Sequence, residues 1–216
     1  ASSNIINCTI VGNEQAATGN EAVFCGFRDN VNDAAKHNGK FFVNNVVYGN
    51  KVGDEILPEQ IHEHLRHYAT NGKFINNALQ GTSAALDTLG TVTYIQLSAE
   101  NNPQFNEDYS FAWTSPLYNA GSNDALDYFV GDKDVYGNVR KQGENIDLGA
   151  VEHTVHTLTV AAVENGTLAL KVLEQTMPLE AKAYEVPAGF TATILATPAE
   201  KYALESILLN GSVLAA

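Results

Sequence analysis

His62, Glu63, His64, Arg66 and His67 form the densest titratable cluster in the chain. A His-Glu pair followed at the right helical spacing by a second His would mark a zinc protease, but Arg66 occupies that second position. On a helix His64 and His67 share a face and His62 points elsewhere. A metal would then need a further ligand from another element. The plainer reading is a solvated helix face. A second candidate, Asp132-Lys133-Asp134-Val135-Tyr136-Gly137-Asn138, begins like a calcium loop, with its Gly at the sixth position. The fifth position is Tyr136 and the twelfth is Gly143, where that loop needs a Glu. Glu144 comes one residue late. A looser Ca²⁺ site drawn from Asp124, Asp127, Asp132 or Asp134 is the one cofactor that the acidic loops suit.

Sugar-cleaving chemistry needs paired carboxylates, or Ca²⁺ with a strong base, arrayed on one groove. Glu14, Asp54, Glu55 and Asp87 are scattered among loops with no repeated spacing. The expectation is that this stretch of chain degrades no polysaccharide. Tyr48, Tyr94, Tyr109 and Trp113 could stack on sugar rings, although a packing role suits the same side chains.

The elements that must position these residues follow from an internal repeat. Ile5-Ile6-Asn7-Cys8-Thr9-Ile10-Val11-Gly12-Asn13, Phe42-Val43-Asn44-Asn45-Val46-Val47-Tyr48-Gly49-Asn50 and Phe74-Ile75-Asn76-Asn77-Ala78-Leu79-Gln80-Gly81-Thr82 are copies of one another. Each reads apolar-apolar-Asn, then strand-type residues, then Gly and a polar residue. None of the three contains an acid. A period of this size marks a stacked solenoid, and short β-branched copies punctuated by Gly make it a β-helix. Asn tolerates the left-handed backbone that tight corners need. Asn7, Asn44 and Asn76 therefore read as a structural ladder, hydrogen-bonded from coil to coil, in preference to a ligand row. Residues 22–27 read as a further face of the first coil. Leu57, Ile61, Leu65 and Tyr68 form a helical stripe within residues 56–70, and residues 91–98 alternate as a strand.

The bulk properties narrow the partners. The 216 residues carry a formal net charge of −13. That argues against nucleic acid, which needs clustered Lys and Arg, and against anionic lipid. No apolar run reaches the roughly 20 residues of a membrane span. Two cysteines, Cys8 and Cys25, do not make a disulfide scaffold and read as reduced, buried thiols. Ala1–Asn4 leads straight into a repeat strand. This implies that further coils precede it and that any secretion signal lies upstream.

Residues 101–152 contain Asn102-Pro103-Gln104-Phe105, Ser115-Pro116-Leu117-Tyr118-Asn119-Ala120-Gly121, Asp134-Val135-Tyr136-Gly137-Asn138-Val139-Arg140 and Ile146-Asp147-Leu148-Gly149-Ala150-Val151-Glu152. Physically they read as a terminal closure. Phe105, Tyr109, Phe111, Trp113 and Tyr118 supply apolar area near the last coil, and Arg140 can pair with Asp147 or Glu152. Such a closure would cover strand edges. In order and spacing this stretch resembles the end of the choice-of-anchor type of right-handed parallel β-helix proteins of bacterial surfaces, frequent in Bacteroidetes. The resemblance makes Ser115, Pro116, Gly121, Arg140, Asp147, Gly149 and Glu152 the closing residues. Asn119 departs from the family, which often carries Asp there.

After Glu152 the texture changes. Twenty of the 22 Asn precede residue 153, and the tail alternates as short strands. These are Val155–Ala162, Leu168–Val172, Phe190–Ala196 and Leu204–Leu209, with turns at Asn165-Gly166, Pro187-Ala188-Gly189 and Asn210-Gly211. The tail resembles the small all-β repeat modules at the ends of bacterial surface proteins. The expected fold is all-β: the last coils of a right-handed parallel β-helix with their closure over residues 1–152, then a small antiparallel β-sandwich-like domain over 153–216. The expected function is a non-enzymatic extracellular or cell-surface module that adheres to or displays toward polysaccharide or host glycans, with Tyr48, Tyr94 and Trp113 as stacking candidates. Two rivals stand beside it: the end of a polysaccharide lyase or glycoside hydrolase with catalytic coils upstream, and a structural spacer.

Overall fold

The computed structural model describes residues 3–15, 26–27, 31–57, 60–61, 65–81, 86, 92–128, 131–172, 175–189 and 191–214. The chain is mostly β, and it divides into two compact units, Ala1–His153 and Thr154–Ala216. His62, Glu63, His64, Cys25 and Asp87 lie outside the described residues.

In the first unit the repeats pair side by side. Strands β1 (Ile5–Ile6), β4 (Phe41–Val43) and β8 (Lys73–Ile75) form one parallel sheet. Strands β2 (Thr9–Val11), β5 (Val46–Tyr48), β9 (Asn77–Gln80) and β10 (Tyr94–Leu97) form a second. The register places Ile6 beside Val43 and Val43 beside Ile75, then Thr9 beside Val46 and Val46 beside Ala78. This superposes the three sequence copies residue on residue. A further short strand, β3 (Glu14–Gln15), runs parallel to β6 (Lys51–Val52), which turns back antiparallel into β7 (Glu55–Ile56).

Two left-handed corners bend each copy. Asn7, Asn44 and Asn76 have φ of 50°, 56° and 46°, and Gly12, Gly49 and Gly81 have φ of 64°, 66° and 73°. Asn is the side-chain-bearing residue that tolerates this conformation best, and Gly meets no penalty there.

Both faces of the second sheet are buried. Val47 and Leu79 pack on one side with Phe42, Ile61, Leu65, Tyr68 and Leu86. Val46 and Ala78 pack on the other with Leu97, Phe111, Leu117, Leu148 and Val151. The last four of these belong to the closing segment. That segment therefore lies over the outer face of the sheet and reaches back to the first copy. It is not confined to the last coil, as its apolar residues alone suggested. The reason is in the copies themselves: their strands alternate apolar residues on both faces, so the outer face needs a cover of its own.

The helix expected over residues 56–70 is shorter. Helix α1 spans Arg66–Asn71, Ile56 belongs to β7, and Ile61 bridges to Phe27. Ile61, Leu65 and Tyr68 still enter the core. At residue 60 the backbone pairs outside a helix, since the Gln60 carbonyl accepts from Phe27 N at 3.0 Å, and the Gln60 side-chain amide ties the same place down. It donates to the carbonyls of Asn50 and Leu57, each at 3.0 Å.

The second unit is antiparallel. β11 (Val155–Thr159) pairs with β14 (Ala183–Pro187); β12 (Gly166–Val172) lies between β13 (Gln175–Leu179) and β15 (Ala192–Pro198). β16 (Ile207–Leu209) and β17 (Ser212–Leu214) form a hairpin through Asn210 (φ 50°) and Gly211 (φ 79°). Strands β13 and β14 have no counterpart in the sequence reading. Pro178 and Pro187 hid them, and Pro178 is tolerated because β13 is an edge strand. Leu170 and Leu179 are buried here and, with Leu158, Leu168, Ile194 and Ile207, line an open cleft of about 870 Å³.

Candidate functional site in the closing segment

The row Asn7, Asn44 and Asn76 does not form the expected ladder. Asn44 is buried, but its amide bonds the backbone of Ser122. Its Nδ2 donates to Ser122 O at 3.0 Å, and its Oδ1 accepts from Ser122 N at 2.9 Å. Asn76 Nδ2 donates to Ala120 O at 3.1 Å. The physical reason is the corner. A left-handed residue turns its side chain out of the coil-to-coil direction, toward the segment that covers the sheet. Asn7 is buried and its amide meets no hydrogen-bond partner among the described residues.

The coil-to-coil ladder stands one residue later. Asn45 Oδ1 accepts from Cys8 N at 3.0 Å, and Asn77 Oδ1 accepts from Asn45 N at 2.9 Å. Asn45 Nδ2 donates to Ile5 O, and Asn77 Nδ2 donates to Phe42 O. Ile5 and Phe42 are paired in register, so both rungs repeat one geometry. A second ladder runs through Asn13, Asn50 and Gln60. Asn50 Oδ1 accepts from Asn13 Nδ2, and Gln60 Oε1 accepts from Asn50 Nδ2, both at 2.7 Å. The Gly-Asn pairs at residues 12–13 and 49–50 were the sequence signal for it. Gln60 comes from outside the repeat and left none.

The ionisable groups of the first unit converge in the closing segment. Ser115 starts it by donating Oγ–H to Pro103 O at 2.7 Å and accepting from Leu117 N, with Pro116 between them. Gly121 N donates to Ile146 O, and Leu148 N donates to Leu117 O. Gly149 has φ of 88°, and a Cβ there would stand 2.5 Å from Thr9 Oγ1. Only Gly lets the segment come that close to the first two copies, where Gly149 N donates to Asn44 O and Ala150 N to Thr9 Oγ1.

Asp147 Oδ1 accepts from Asn119 N at 2.6 Å; its Oδ2 accepts from His153 N at 2.9 Å and faces His153 Nδ1 at 2.7 Å. His153 Nε2 faces Phe111 O at 2.6 Å. Glu152 Oε2 accepts from Asp147 N at 3.0 Å, and Glu152 N donates to Asp134 Oδ2 at 2.9 Å. Arg140 donates to Gly149 O at 3.0 Å and stands 3.8 Å from Glu152 Oε2. Burial, then the charge of Asp147, push Glu152 up to about 9. The buried site thus favours the protonated form of Glu152 at neutral pH, with the Arg140 guanidinium 3.8 Å from Oε2. Burial alone would also raise Asp134. The amides of Glu152, Asn138 and Tyr136 and the Asn138 side chain outweigh it, and the net shift is downward.

This arrangement holds backbone and offers little else. Asp134 accepts four N–H bonds, from Tyr136, Asn138 (two) and Glu152. The calcium-like loop is thus an Asx turn closing a short hairpin, with Lys133 bridged to Val139. Asp124, Asp127 and Asp132 are exposed. Among the described residues no group of three or more His, Cys, Asp or Glu is placed to hold a metal ion.

Of the stacking candidates, Tyr94 packs against the Phe42 cluster and Tyr48 against the Val46 cluster, and Trp113 is half-buried on a turn. In the first unit the remaining candidate, Tyr109, and one further tyrosine, Tyr136, stand out to solvent. Tyr109 is 52% exposed with φ of 62°, and Tyr136 is 55% exposed with its hydroxyl donated to Asp108 O. Val135 and Val139 are exposed on the same hairpin as Tyr136. Among the described residues no helix is long and apolar enough to cross a membrane. Cys8 is a half-buried free thiol whose pKa is raised by burial. Compared with known families, curated proteins and solved structures, the chain matches none.

Proposed function

We propose that this chain is a non-enzymatic extracellular module of the right-handed parallel β-helix type, carrying a small antiparallel β-sandwich-like domain and presenting a neutral-glycan-binding surface at a bacterial cell surface. The observation that carries the non-enzymatic part is how the buried acids are used. Asp134, Asp147 and Glu152 hold backbone amides of their own segment, where a sugar ring has no access to them. The β-helix reading is supported by three copies at spacings near one coil, paired parallel and in register, with left-handed corners at equivalent positions. The likeness to the choice-of-anchor family is supported by the way its motif residues, from Ser115 to Glu152, meet in one closing segment.

Neutral glycans are favoured as partners because a net charge of −13 repels acidic polymers. The exposed Tyr109 and Tyr136 offer rings suited to stacking on sugars. The test is a glycan array of neutral and acidic oligosaccharides, followed by titration of the hits with a Tyr109→Ala/Tyr136→Ala variant. Neutral binders lost in the variant support the reading. Acidic-only binding, or hits unchanged in the variant, overturns the binding part. Incubation with pectins, alginates and glycosaminoglycans should release no unsaturated products or reducing ends. Turnover abolished by mutating one acidic residue would make the protein an enzyme.

A further inference from the structure

The ring of His153 is held between two acceptors. Nδ1 lies 2.7 Å from a carboxylate oxygen of Asp147 and Nε2 lies 2.6 Å from the carbonyl oxygen of Phe111. A neutral imidazole carries one N–H, so whichever tautomer formed would set a nitrogen lone pair against one of these oxygens. The doubly protonated ring donates to both. The rest of the pocket suits that form. The ring stands edge to face with Phe111, centroids 4.6 Å apart, and with Tyr118 at 5.4 Å. Its side chain is 11% exposed and that of Asp147 is 2% exposed.

The two acceptors belong to distant parts of the closing segment. Phe111 precedes its Ser115 turn, and Asp147 lies on its final run. His153 is also the last residue of the first unit. We infer that His153 is a proton-operated clasp: as an imidazolium it ties the final run of the first unit to the Phe111 stretch, and loss of the ring proton opens that tie.

The charges facing the ring agree. Asp147 contacts it directly, and Glu152, Asp134 and Arg140 follow through Asp147 and the adjoining backbone. With Glu152 neutral, the Arg140 guanidinium and the His153 imidazolium balance the carboxylates of Asp134 and Asp147. A neutral His153 would leave one negative charge unbalanced in a buried cluster. Burial pulls the pKa of the ring down, but the Asp147 hydrogen bond and charge and the Phe111 carbonyl outweigh it, and the net shift is upward. A histidine raised in this way holds the clasp below its ordinary range and releases it as pH rises through the raised value.

The experiment uses the full chain and two readouts. Nitrogen-detected NMR of the histidine side chains follows protonation of the His153 ring. Amide hydrogen exchange, corrected for its intrinsic pH dependence, follows Leu148 and His153 against Asn45 and Ala78 in the ladder region. The expected result is an imidazolium at neutral pH, titrating above the free-histidine value. Exchange at Leu148 and His153 should accelerate about tenfold or more with the same midpoint, while Asn45 and Ala78 do not respond. In His153→Gln the pH step in exchange should vanish. A ring that is neutral at pH 7, or exchange of Leu148 and His153 that ignores its titration, overturns the inference. The wild-type titration alone decides the matter if His153→Gln does not fold.

Discussion

The two units are built from the same material, short strands and Gly-marked turns, yet they close differently. The first buries both faces of its four-stranded sheet and ties its coils with side-chain amides, so Val46, Val47 and Ala78 are all fully buried. The second relies on antiparallel backbone pairing and buries two leucines beside an open apolar cleft of about 870 Å³. The difference teaches that strand content does not by itself make a core. What closes the first unit is a long segment with no strand among its described residues. It brings Phe111, Leu117, Leu148 and Val151 to one face and a set of polar groups to the corners.

Leucine truncation should break this comparison most sharply. Leu79→Ala removes a side chain packed from all sides and should cost about 3–5 kcal/mol, read by chemical denaturation. Leu170→Ala, beside the cleft, should cost about 2 kcal/mol or less, because the space it leaves already opens to solvent. Equal losses would mean that the second unit is as tightly packed as the first. The ladder gives the next effect. Asn45→Ala leaves Cys8 N and Ile5 O without their partner and should cost about 2–3 kcal/mol. An unchanged midpoint would show the ladder to be incidental.

A pH series sharpens the contrast further. Glu152 keeps its proton up to about 9 in the fold and only to about 4.5 when unfolded. The folded state holds the extra proton in that window, so stability falls as pH rises through it. His153 acts in the same direction above its ordinary value of 6.5. Asp134 acts oppositely, its contribution being lost as pH falls below 3.8. The first unit should therefore be most stable in mild acid and lose stability steadily toward pH 9. Glu152→Gln should flatten much of that slope. A midpoint that rises toward pH 9 would contradict the neutral Glu152. The smallest effect separates equivalent corners. Asn44→Gly should cost about 1 kcal/mol through its lost bonds to Ser122. Asn7→Gly keeps the left-handed corner and removes an unpartnered amide, so it should be neutral or stabilising by up to about 1 kcal/mol.

The repeat was legible because coil register is a property of the main chain, and equivalent residues in the sequence stack as equivalent residues in space. The ladder was misplaced by one residue for a reason that lies below the repeat. Asn44 and Asn45 are adjacent, and sequence equivalence says which residues align but not which of two neighbours points along the stack. A left-handed corner decides that, and it sends Asn44 to Ser122 and Asn45 to Cys8. Arg140, Asp147 and Glu152 were legible as closing residues, but residue 153 was assigned to the second domain, whereas His153 ends the first unit. Its position directly after the Asp147–Glu152 motif was the available signal. The shorter helix at Arg66–Asn71 goes with a backbone pairing of residues 60–61 to Phe27, which the apolar stripe could not reveal.

The most direct test of the contrast between the units is native-state hydrogen exchange resolved by residue on the full chain. Below the pH at which the His153 clasp opens, Asn45, Ala78, Leu148 and Gly149 should exchange together, through the global opening of the first unit, and more slowly than the strand amides of Gly166–Val172 and Ala192–Pro198. Strand amides of the second unit protected as strongly as Asn45, or Leu148 and Gly149 exchanging as fast as free loop, would contradict it.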